Sequence, residues 1–277
     1  LLVVGGGKMG GALMAGWISR GIPAAGIFVV EPNLDNASAL VRDLGVTVAA
    51  AADDLPPDFL PELVMFAVKP QVMADVVPAY LPFAGPATVF LSIAAGTPIA
   101  LFEDCLGEVA AIVRVMPNTP AAVGRGASVA CANARVTDAQ QKLCHDLLTA
   151  VGQVHWVEDE DLLHAVTGLS GSGPAYVFHL VECLARAGRE AGLPEDLANS
   201  LARATVEGAG ELLHRSATDT PDTLRRNVTS PGGTTAAGLT VLMGGDPNKD
   251  DPAHGPLGDL VTGCVAAAAK RSRELAE

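Results

Sequence analysis

The stretch Gly5-Gly6-Gly7-Lys8-Met9-Gly10 decides the fold of this sequence, because its glycines have the spacing G-x-G-x-x-G directly after the apolar run 1–4. In a strand–loop–helix unit of this kind, Gly5 permits a tight turn and Gly7 lets a pyrophosphate approach the backbone. Gly10 allows the following helix to pack closely on the strand. The free N–H groups at the start of that helix attract phosphate. A glycine-rich turn without a ligand shows the same letters, so the flanking sequence has to decide between the two interpretations.

An acidic residue at the expected distance favours the binding interpretation. The next apolar run, 27–30, is followed by Glu31, which lies 21 residues after Gly10. In dinucleotide-binding units, an acid about 20 residues past the glycines accepts hydrogen bonds from a ribose. We therefore expect the N-terminal part of the chain to bind a dinucleotide, with Lys8 and Met9 completing the glycine loop.

The surroundings of Glu31 bear on which dinucleotide binds. A carboxylate accepts hydrogen bonds from both ribose hydroxyls of NADH, but it repels the 2′-phosphate of NADPH. The sequence has no Lys or Arg between Arg20 and Arg42 that would compensate for this repulsion. The predicted cofactor is NADH or NADPH, and this pattern favours NADH.

Short β-branched runs alternate with helix-like segments through the first half of the chain. This alternation is typical of βαβ units around a mostly parallel sheet. Helices are predicted between the early strands at 9–20 and 37–44. The predicted strands are 1–4, 27–30, 63–68, 88–93, 111–115 and 128–132.

The pattern changes near Val157, beyond which strand candidates disappear. Breaks are predicted at the glycine-rich turns 168–173, 192–194 and 231–233. The predicted helices are 162–166, 175–191, 195–217, 221–228, 235–242 and 259–275. The sequence therefore predicts the α/β fold class, with a Rossmann-type dinucleotide-binding domain over 1–157 and an all-helical substrate-binding and dimerisation domain over 158–277.

The helical half is rich in Ala and Gly, which let helix backbones approach closely. A bundle of so few long helices leaves apolar faces uncovered, so we expect a helix-mediated oligomer. The polar stretch 244–257 contains several Gly and Pro residues and is predicted to be a surface loop.

Composition excludes several classes of partner. The chain has 277 residues, of which 49% are hydrophobic. Its net charge is −13, and because binding to a nucleic-acid backbone needs a basic surface, a nucleic acid is not an expected partner. Its five cysteines are scattered without a CxxC pair, and no two histidines have ligand spacing, so neither a disulfide framework nor a metal site is predicted. No apolar run reaches ~18 residues, so no membrane span is predicted. With no signal-peptide pattern either, a cytoplasmic protein is expected.

Four further motifs are spread along the rest of the chain. They are AVKPQ at 67–71, VRVMPNTPAAVGRG at 113–126, VTGLSGSGPAYVF at 166–178 and NVTSPGGTTAAGL at 227–239. In this order, and together with GGGKMG, they resemble the pyrroline-5-carboxylate reductases, with SPGGTT as the most specific piece. The resemblance implies an NAD(P)H-dependent oxidoreductase that acts on a cyclic C=N bond, reducing 1-pyrroline-5-carboxylate to L-proline in the last step of proline biosynthesis. It also implies a homodimer formed by the helical halves, and a ring of five such dimers.

The segment 230–235 (SPGGTT) places two glycines and three hydroxyls at a predicted helix N-terminus, where free backbone N–H groups bind a small carboxylate. Taken alone, such a segment is more often an ordinary N-cap turn. The resemblance implies that the hydroxyl of Thr235 lies near the imine nitrogen as the catalytic residue, in an orienting role. It further implies that the substrate carboxylate is held by Ser230, Gly232, Gly233 and Thr234.

The resemblance also assigns cofactor contacts, at Ala67, Val68, Lys69, Pro70, Ala94, Ala95, Gly96, Asn118 and Asn227. The small residues at 94–96 let a nicotinamide ring lie close to the backbone. Asn118 is equally interpreted as a turn former without a ligand, and Asn227 resembles a position that contacts cofactor across a subunit boundary. Glu160 resembles a residue near the substrate, although an acidic stretch that opens a helix is usually charge matched to the helix dipole.

Other functions compete with this interpretation. A β-hydroxyacid-dehydrogenase cousin needs a catalytic Lys on the helices after the sheet, and the sequence has none between Gly171 and Lys249. A serine hydrolase at SGSGP needs a strand-to-helix turn, whereas this turn is predicted between two helices. A reductase of a related cyclic imine stays open. A non-catalytic dinucleotide sensor would be expected to lose SPGGTT or the small residues near Gly96, and both are present.

Overall fold

The computed structural model describes residues 1–247 and 255–276. By their internal contacts, these residues form two compact units. The first contains residues 1–172 together with the C-terminal residues from 268, and the second contains residues 173–267. The predicted domain boundary at residue 157 coincides with the last residue of the sheet, and it stays a proposal about the two domains.

An eight-stranded sheet forms the centre of the first unit, in the order β3-β2-β1-β4-β5-β6-β7-β8. The first six strands are mutually parallel, β7 is antiparallel to β6, and β8 is parallel to β7. The carboxyl ends of β1 to β6 therefore share one edge, where ligands of such sheets bind. The strands are β1 (Leu2–Val4), β2 (Phe28–Val30), β3 (Thr47–Ala49), β4 (Leu63–Phe66), β5 (Val89–Ser92), β6 (Ala111–Met116), β7 (Gly126–Ala132) and β8 (Gly152–Val157).

Two apolar cores cover the two faces of this sheet. Because successive residues of a strand point to opposite faces, Val3 lies in one core and Val4 in the other. Trp17 fills the first core, whereas Phe102 and Tyr80 fill the second. Burial of each such side chain contributes about 1.5–3 kcal/mol. The helices of this unit are α1 (Lys8–Ser19), α2 (Leu34–Leu44), α3 (Met73–Val76), α4 (Ile99–Leu106), α5 (Asp138–Thr149) and α6 (Leu162–Val166).

The second unit is helical throughout its described part. Its helices are α7 (Gly173–Glu190), α8 (Glu195–Arg215), α9 (Pro221–Asn227), α10 (Thr234–Met243) and the first part of α11 (Pro256–Glu274). The helices α7 and α8 pack closely, since a Cβ added at Gly188 would lie 3.2 Å from the Cβ of Ala198. Few large side chains are buried in this unit, and most of the buried residues in its described helices are alanines.

The predicted fold class is confirmed, with several local differences. Sequence analysis missed β3, β8, α4 and α5, and the predicted turn at 168–173 is wrong. Residues Thr167–Gly171 form a π-helix that continues from α6 towards α7, with the N–H of Ser172 donating to the carbonyl of Thr167. The hydroxyls of Thr167 and Ser170 donate to carbonyls four residues earlier, which satisfies backbone acceptors in this segment.

The predicted loop at 244–257 is only partly described. Residues 248–254 lie outside the described residues, and Pro256 and Leu257 begin α11. None of the helices in residues 1–247 and 255–276 combines the length and the apolar character needed to cross a membrane.

Candidate active site

The glycine loop packs against the end of β4. A Cβ added at Gly5, whose φ is 96°, would lie 2.8 Å from Cγ1 of Val68 and 2.9 Å from the carbonyl oxygen of Ala67. A Cβ at Gly10 would lie 2.6 Å from the carbonyl oxygen of Gly5. By contrast, a Cβ at Gly7 would meet nothing within 4 Å, so this side of the loop is open. The predicted contacts at Ala67 and Val68 are thus brought next to the glycine loop.

The start of α1 suits the binding of an anion. Gly7 is the N-cap residue and offers no side chain to the first amides of the helix, and the first turn contains no acidic residue. Amides in this position have no acceptor within the helix, and they attract phosphate. Lys8, in the first turn, is exposed and adds a positive charge. The loop and helix therefore fit the pyrophosphate of a dinucleotide.

Glu31 is buried, at 8% exposure, and its carboxylate stabilises the glycine loop. Its Oε2 accepts a hydrogen bond from the N–H of Gly6, and its Oε1 accepts one from the N–H of Asn33, each at 2.9 Å. Asn33 is in turn the N-cap of α2. Each carboxylate oxygen keeps a second lone pair, so Glu31 can hold the loop and still accept a hydrogen bond from a ribose.

A groove of about 530 Å³ lies beside Glu31, between α2 and β3. Its lining is mostly apolar, with one carboxylate, one hydroxyl and one guanidinium. The lining residues are Glu31, Leu34, Ala37, Ser38, Val41, Arg42, Val48, Ala49 and Ala50. Arg42 itself forms an exposed ion pair with Asp43.

The loops after β4 and β5 enclose a smaller cavity of about 240 Å³. Pro70 lines one side of it, and Ala95 and Gly96 line another, so the structure brings these three predicted cofactor residues together. Lys69 is the N-cap of the short helical turn Pro70–Val72 and is exposed. Ala94 is buried, and its N–H donates to the hydroxyl of Ser92. The end of α11 closes the cavity with Leu275 and Ala276.

Asn118 connects two segments of the first unit. Its Oδ1 accepts a hydrogen bond from the N–H of Ala127 at 2.8 Å, and its Nδ2 donates to the carbonyl of Ser170 at 3.1 Å. These bonds tie the end of β6 to β7 and to the π-helix. The side chain of Asn118 thus bonds to distant segments and makes no cap bond to the turn that follows it. A cofactor contact stays a prediction.

Glu160 occupies a position that sequence analysis did not foresee. Its Oε1 accepts a hydrogen bond from Nη1 of Arg114, and a second from the N–H of Ile99 at 2.9 Å. Arg114 lies on β6 and is only 4% exposed. The one signal for this partner in the sequence is an arginine inside an apolar strand. A substrate contact at Glu160 stays a prediction beside these observed bonds.

His164, one turn further along, was not predicted as a site residue either. Its Nδ1 lies 2.9 Å from the hydroxyl of Ser272, and both side chains are buried. Burial lowers the pKa of His164, and the positive charges of Arg114 and Arg273 lower it further. The imidazole is therefore held in its neutral form near neutral pH.

In the second unit, the SPGGTT segment forms the N-terminus of α10. Gly233 is the N-cap without a side-chain hydrogen bond, and Gly232 has a φ of 70°. The first helical bond runs from the N–H of Ala237 to the carbonyl of Gly233, so the amides before it have no helical acceptor. The side chains of Ser230, Thr234 and Thr235 are exposed beside these amides, and Asn227 is exposed at the end of α9.

Comparisons with known proteins agree with both units. Residues 160–275 match a family model described as pyrroline-5-carboxylate reductase dimerisation. Residues 1–96 match one described as NADP oxidoreductase, coenzyme F420-dependent. A pyrroline-5-carboxylate reductase of Pseudomonas aeruginosa is 38% identical over 274 residues, which cover 99% of this chain and 96% of that protein.

The chain belongs to the pyrroline-5-carboxylate reductase family. A solved structure of a pyrroline-5-carboxylate reductase from Coxiella burnetii has 32% identity and a TM-score of 0.88, and covers 100% of this chain and 98% of its own. The Plasmodium falciparum enzyme, solved with NADP bound, has 29% identity and a TM-score of 0.79, and covers 100% and 97%. The family resemblance drawn from the motifs is therefore confirmed.

In this family member, most of the predicted site residues fall into two groups. The exceptions are Asn227, a predicted cofactor contact in the second unit, and Glu160, a predicted substrate contact in the first. The cofactor residues from Gly5 to Asn118 lie in the first unit, mainly on loops at the carboxyl ends of β1, β2, β4 and β5. The residues predicted to hold substrate carboxylate lie in the second unit at the start of α10. No cluster of three or more metal-ligating side chains occurs within the described ranges.

Proposed function

We propose that this protein reduces 1-pyrroline-5-carboxylate to L-proline with NADH or NADPH, as the last step of proline biosynthesis. The observation that carries the proposal is the SPGGTT segment at the start of α10, with exposed hydroxyls beside amides that have no helical acceptor. Many enzymes bind dinucleotides, whereas this arrangement suits a small substrate that carries a carboxylate.

The first unit is assigned the dinucleotide. When bound, the reduced cofactor supplies the hydride for the reaction. The open side of Gly7 and the amides at the start of α1 bind its pyrophosphate, and Glu31 accepts hydrogen bonds from a ribose. The loops around Pro70 and Gly96 hold the nicotinamide ring and exclude water from one of its sides.

The second unit is assigned the substrate carboxylate. The amides of Thr234 and Thr235 bind it, and Ser230, Gly232 and Gly233 shape the turn in front of the helix. The hydroxyl of Thr235 orients the imine nitrogen. An ordinary hydroxyl is a poor acid, so protonation of the nitrogen is assigned to solvent or to an imine that arrives already protonated. Orientation of two reactants alone supplies a large part of the rate of such a reaction.

We propose NADH as the preferred cofactor. The carboxylate of Glu31 is fixed by two backbone amides, so it cannot turn away from a 2′-phosphate without losing both hydrogen bonds. A matched relative binds NADP, so the preference is a property of this sequence and has to be measured directly. Comparison of kcat/KM for NADH and NADPH tests it.

We propose a homodimer formed by the helical unit, which assembles further into a ring of five dimers. Large apolar side chains of this unit stay exposed in one chain: Phe178 is 65% exposed and Leu260 is 69% exposed. A patch of this kind marks a protein interface. A cytoplasmic location is proposed as well, since the five cysteines are all free.

The first experiment follows the absorbance of NADH and NADPH with 1-pyrroline-5-carboxylate as substrate and identifies proline as the product. Turnover with either cofactor supports the proposed reaction. A preparation that binds NADH without turnover contradicts the assigned substrate, and related cyclic imines are then the next substrates to test. Failure with all of them favours a dinucleotide sensor.

A further inference from the structure

The loop 94–98 has the sequence AAGTP and connects β5 to α4. It contains no large side chain to anchor it, Gly96 has a φ of 77°, and Pro98 offers no side-chain cap to α4. A loop of this composition depends on contacts from other segments for a single conformation. Two such contacts are present, and both come from elements far away in the sequence.

The first contact is the carboxylate of Glu160. It accepts a hydrogen bond from the N–H of Ile99, the first residue of α4, directly after the loop. A negative charge at this position is favoured by the helix dipole. The same oxygen pairs with Arg114, whose buried charge requires a partner. Glu160 therefore fixes the end of the loop to strand β6.

The second contact is Leu275, immediately after α11. A Cβ added at Gly96 would lie 3.3 Å from the Cβ of Leu275 and 3.4 Å from its carbonyl oxygen. This end of α11 is attached to α6 by the buried hydrogen bond between Ser272 and His164. Glu160 lies in the turn before α6, where its carbonyl accepts a hydrogen bond from the N–H of Leu163, and His164 lies in α6 itself. Both contacts therefore involve α6 and the turn that precedes it.

We propose that Glu160 and Leu275 are positioning residues, which together hold the loop 94–98 in the conformation that accepts the nicotinamide half of the cofactor. This inference rests on the proposed assignment of that loop to the dinucleotide. Ala95, Gly96 and Pro70 line the same cavity, so a shift of the loop changes the shape of this cavity. In enzymes, small displacements of the groups that position the reactants cause large losses of reaction rate.

The first test replaces Glu160 by Gln, with Glu103→Gln as the matched control. Glu103 is also half-buried and lies on α4 itself, where its carboxylate accepts a hydrogen bond from Asn133. The Glu160→Gln variant leaves the charge of Arg114 uncompensated and weakens the bond to Ile99. We expect its Kd for NADH, measured by cofactor fluorescence, to rise about tenfold. Hydrogen exchange of residues 94–101 is expected to accelerate, whereas Glu103→Gln changes neither.

The second test replaces Leu275 by Gly, which removes the Cβ that lies near Gly96, with the exposed Leu60→Gly as control. Leu275 is exposed on one side, so this change does not threaten folding, and it decides the question should Glu160→Gln fail to fold. We expect a rise in the Kd for NADH of about threefold, with faster exchange in the same peptide. The KM for pyrroline carboxylate is expected to stay within error of wild type in Leu275→Gly, because Leu275 is not a predicted substrate residue. A raised KM in Glu160→Gln with an unchanged Kd for NADH would assign Glu160 to the substrate and overturn its positioning role.

Two results separate this inference from the proposed function. NADH binding does not require turnover, so a wild-type protein that binds NADH but does not reduce pyrroline carboxylate leaves the positioning role testable. Unchanged NADH affinity and unchanged exchange at 94–101 in folded Glu160→Gln, or in Leu275→Gly if that variant alone folds, would overturn the inference even in an active reductase.

Discussion

The two units of this protein bury their apolar residues very differently. The sheet of the first unit has a complete core on each face, with Trp17, Phe66 and Phe102 almost fully buried. In the second unit, the buried residues of α7 and α8 are alanines, and large side chains such as Phe178 and Leu212 stay exposed. The dinucleotide unit thus completes its own core, whereas the helical unit depends on another surface.

Polar groups of the candidate site follow the same division. Glu31, Asn118 and Glu160 in the first unit all have hydrogen-bond partners within that unit. In contrast, the hydroxyl-bearing side chains of Ser230, Thr234 and Thr235 are exposed in the single chain. The first unit is preorganised for a ligand, and the second presents groups that a ligand or a second copy would cover.

The largest expected effect concerns the exposed face of the second unit. We expect Phe178→Asp to raise the dimer dissociation constant by at least about 1000-fold, because a carboxylate in an apolar interface costs several kcal/mol. Analytical ultracentrifugation measures this constant. The matched control is Val123→Asp in the first unit, which is 73% exposed and should leave the oligomer intact. If the two variants raised the dimer dissociation constant equally, the exposed face of the second unit would not be the dimer interface.

The next effect concerns the glycine loop. A Cβ at Gly10 would lie 2.6 Å from a backbone oxygen, which cannot move without breaking the loop. We expect Gly10→Ala to weaken NADH binding about 100-fold while the dimer persists. Gly11→Ala is the control, since its added Cβ meets nothing within 4 Å and should bind NADH normally. NADH fluorescence titration distinguishes the two variants, and a normal affinity in Gly10→Ala would show that the loop adapts.

A smaller effect is expected at the start of α10. Loss of a hydrogen bond to a charged substrate costs about 2 kcal/mol, so Thr235→Val should lower kcat/KM for pyrroline carboxylate about 20-fold. The Kd for NADH should not change, because Thr235 is assigned to the substrate and not to the cofactor. Thr235→Ser keeps the hydroxyl and should retain most of the activity. If Thr235→Val weakens NADH binding to the same extent as turnover, the division of roles between the units is wrong.

The smallest effect is a pH dependence of stability. Burial lowers the pKa of His164 below its value of 6.5 in an unfolded chain, so the unfolded state binds more protons between the two values. The free energy of unfolding should therefore fall as pH decreases below about 6.5. The free energy of unfolding, measured with urea between pH 5 and 8, should depend less steeply on pH in His164→Gln than in the wild type. If the pH dependence is the same in both proteins, protonation of His164 does not destabilise the folded state.

Several features of the first unit could be predicted because they follow from local pattern. The glycine spacing, the alternation of strands and helices, and Glu31 each depend on neighbouring residues. Two elements were missed for identifiable reasons. The strand β3 has only three residues at the sheet edge, and the 12-residue helix α5 begins at a capping box of Thr137 and Gln140 that was overlooked. The π-helix was missed because glycines and serines are typical of turns.

The partners of the site residues could not be predicted in this way. Glu160 lies 46 residues from Arg114 and 61 residues from Ile99, and Ser272 lies 108 residues from His164. Sequence pattern reports the preference of each segment, but not which distant segment it meets. The sequence left alternative roles open for Asn118 and Glu160, because it does not show which distant segments these residues contact.

The sequence by itself determined the family, through the resemblance of its motifs. It also determined the class of fold and the place of the glycine loop, because periodicity, glycine conformations and capping act within a few residues. Only the tertiary structure decided that Glu160 joins β6 to α4 and that the end of α11 lies against Gly96. These contacts depend on packing and on the need of buried charges and amides for partners. Those requirements are met across the whole chain rather than within one segment.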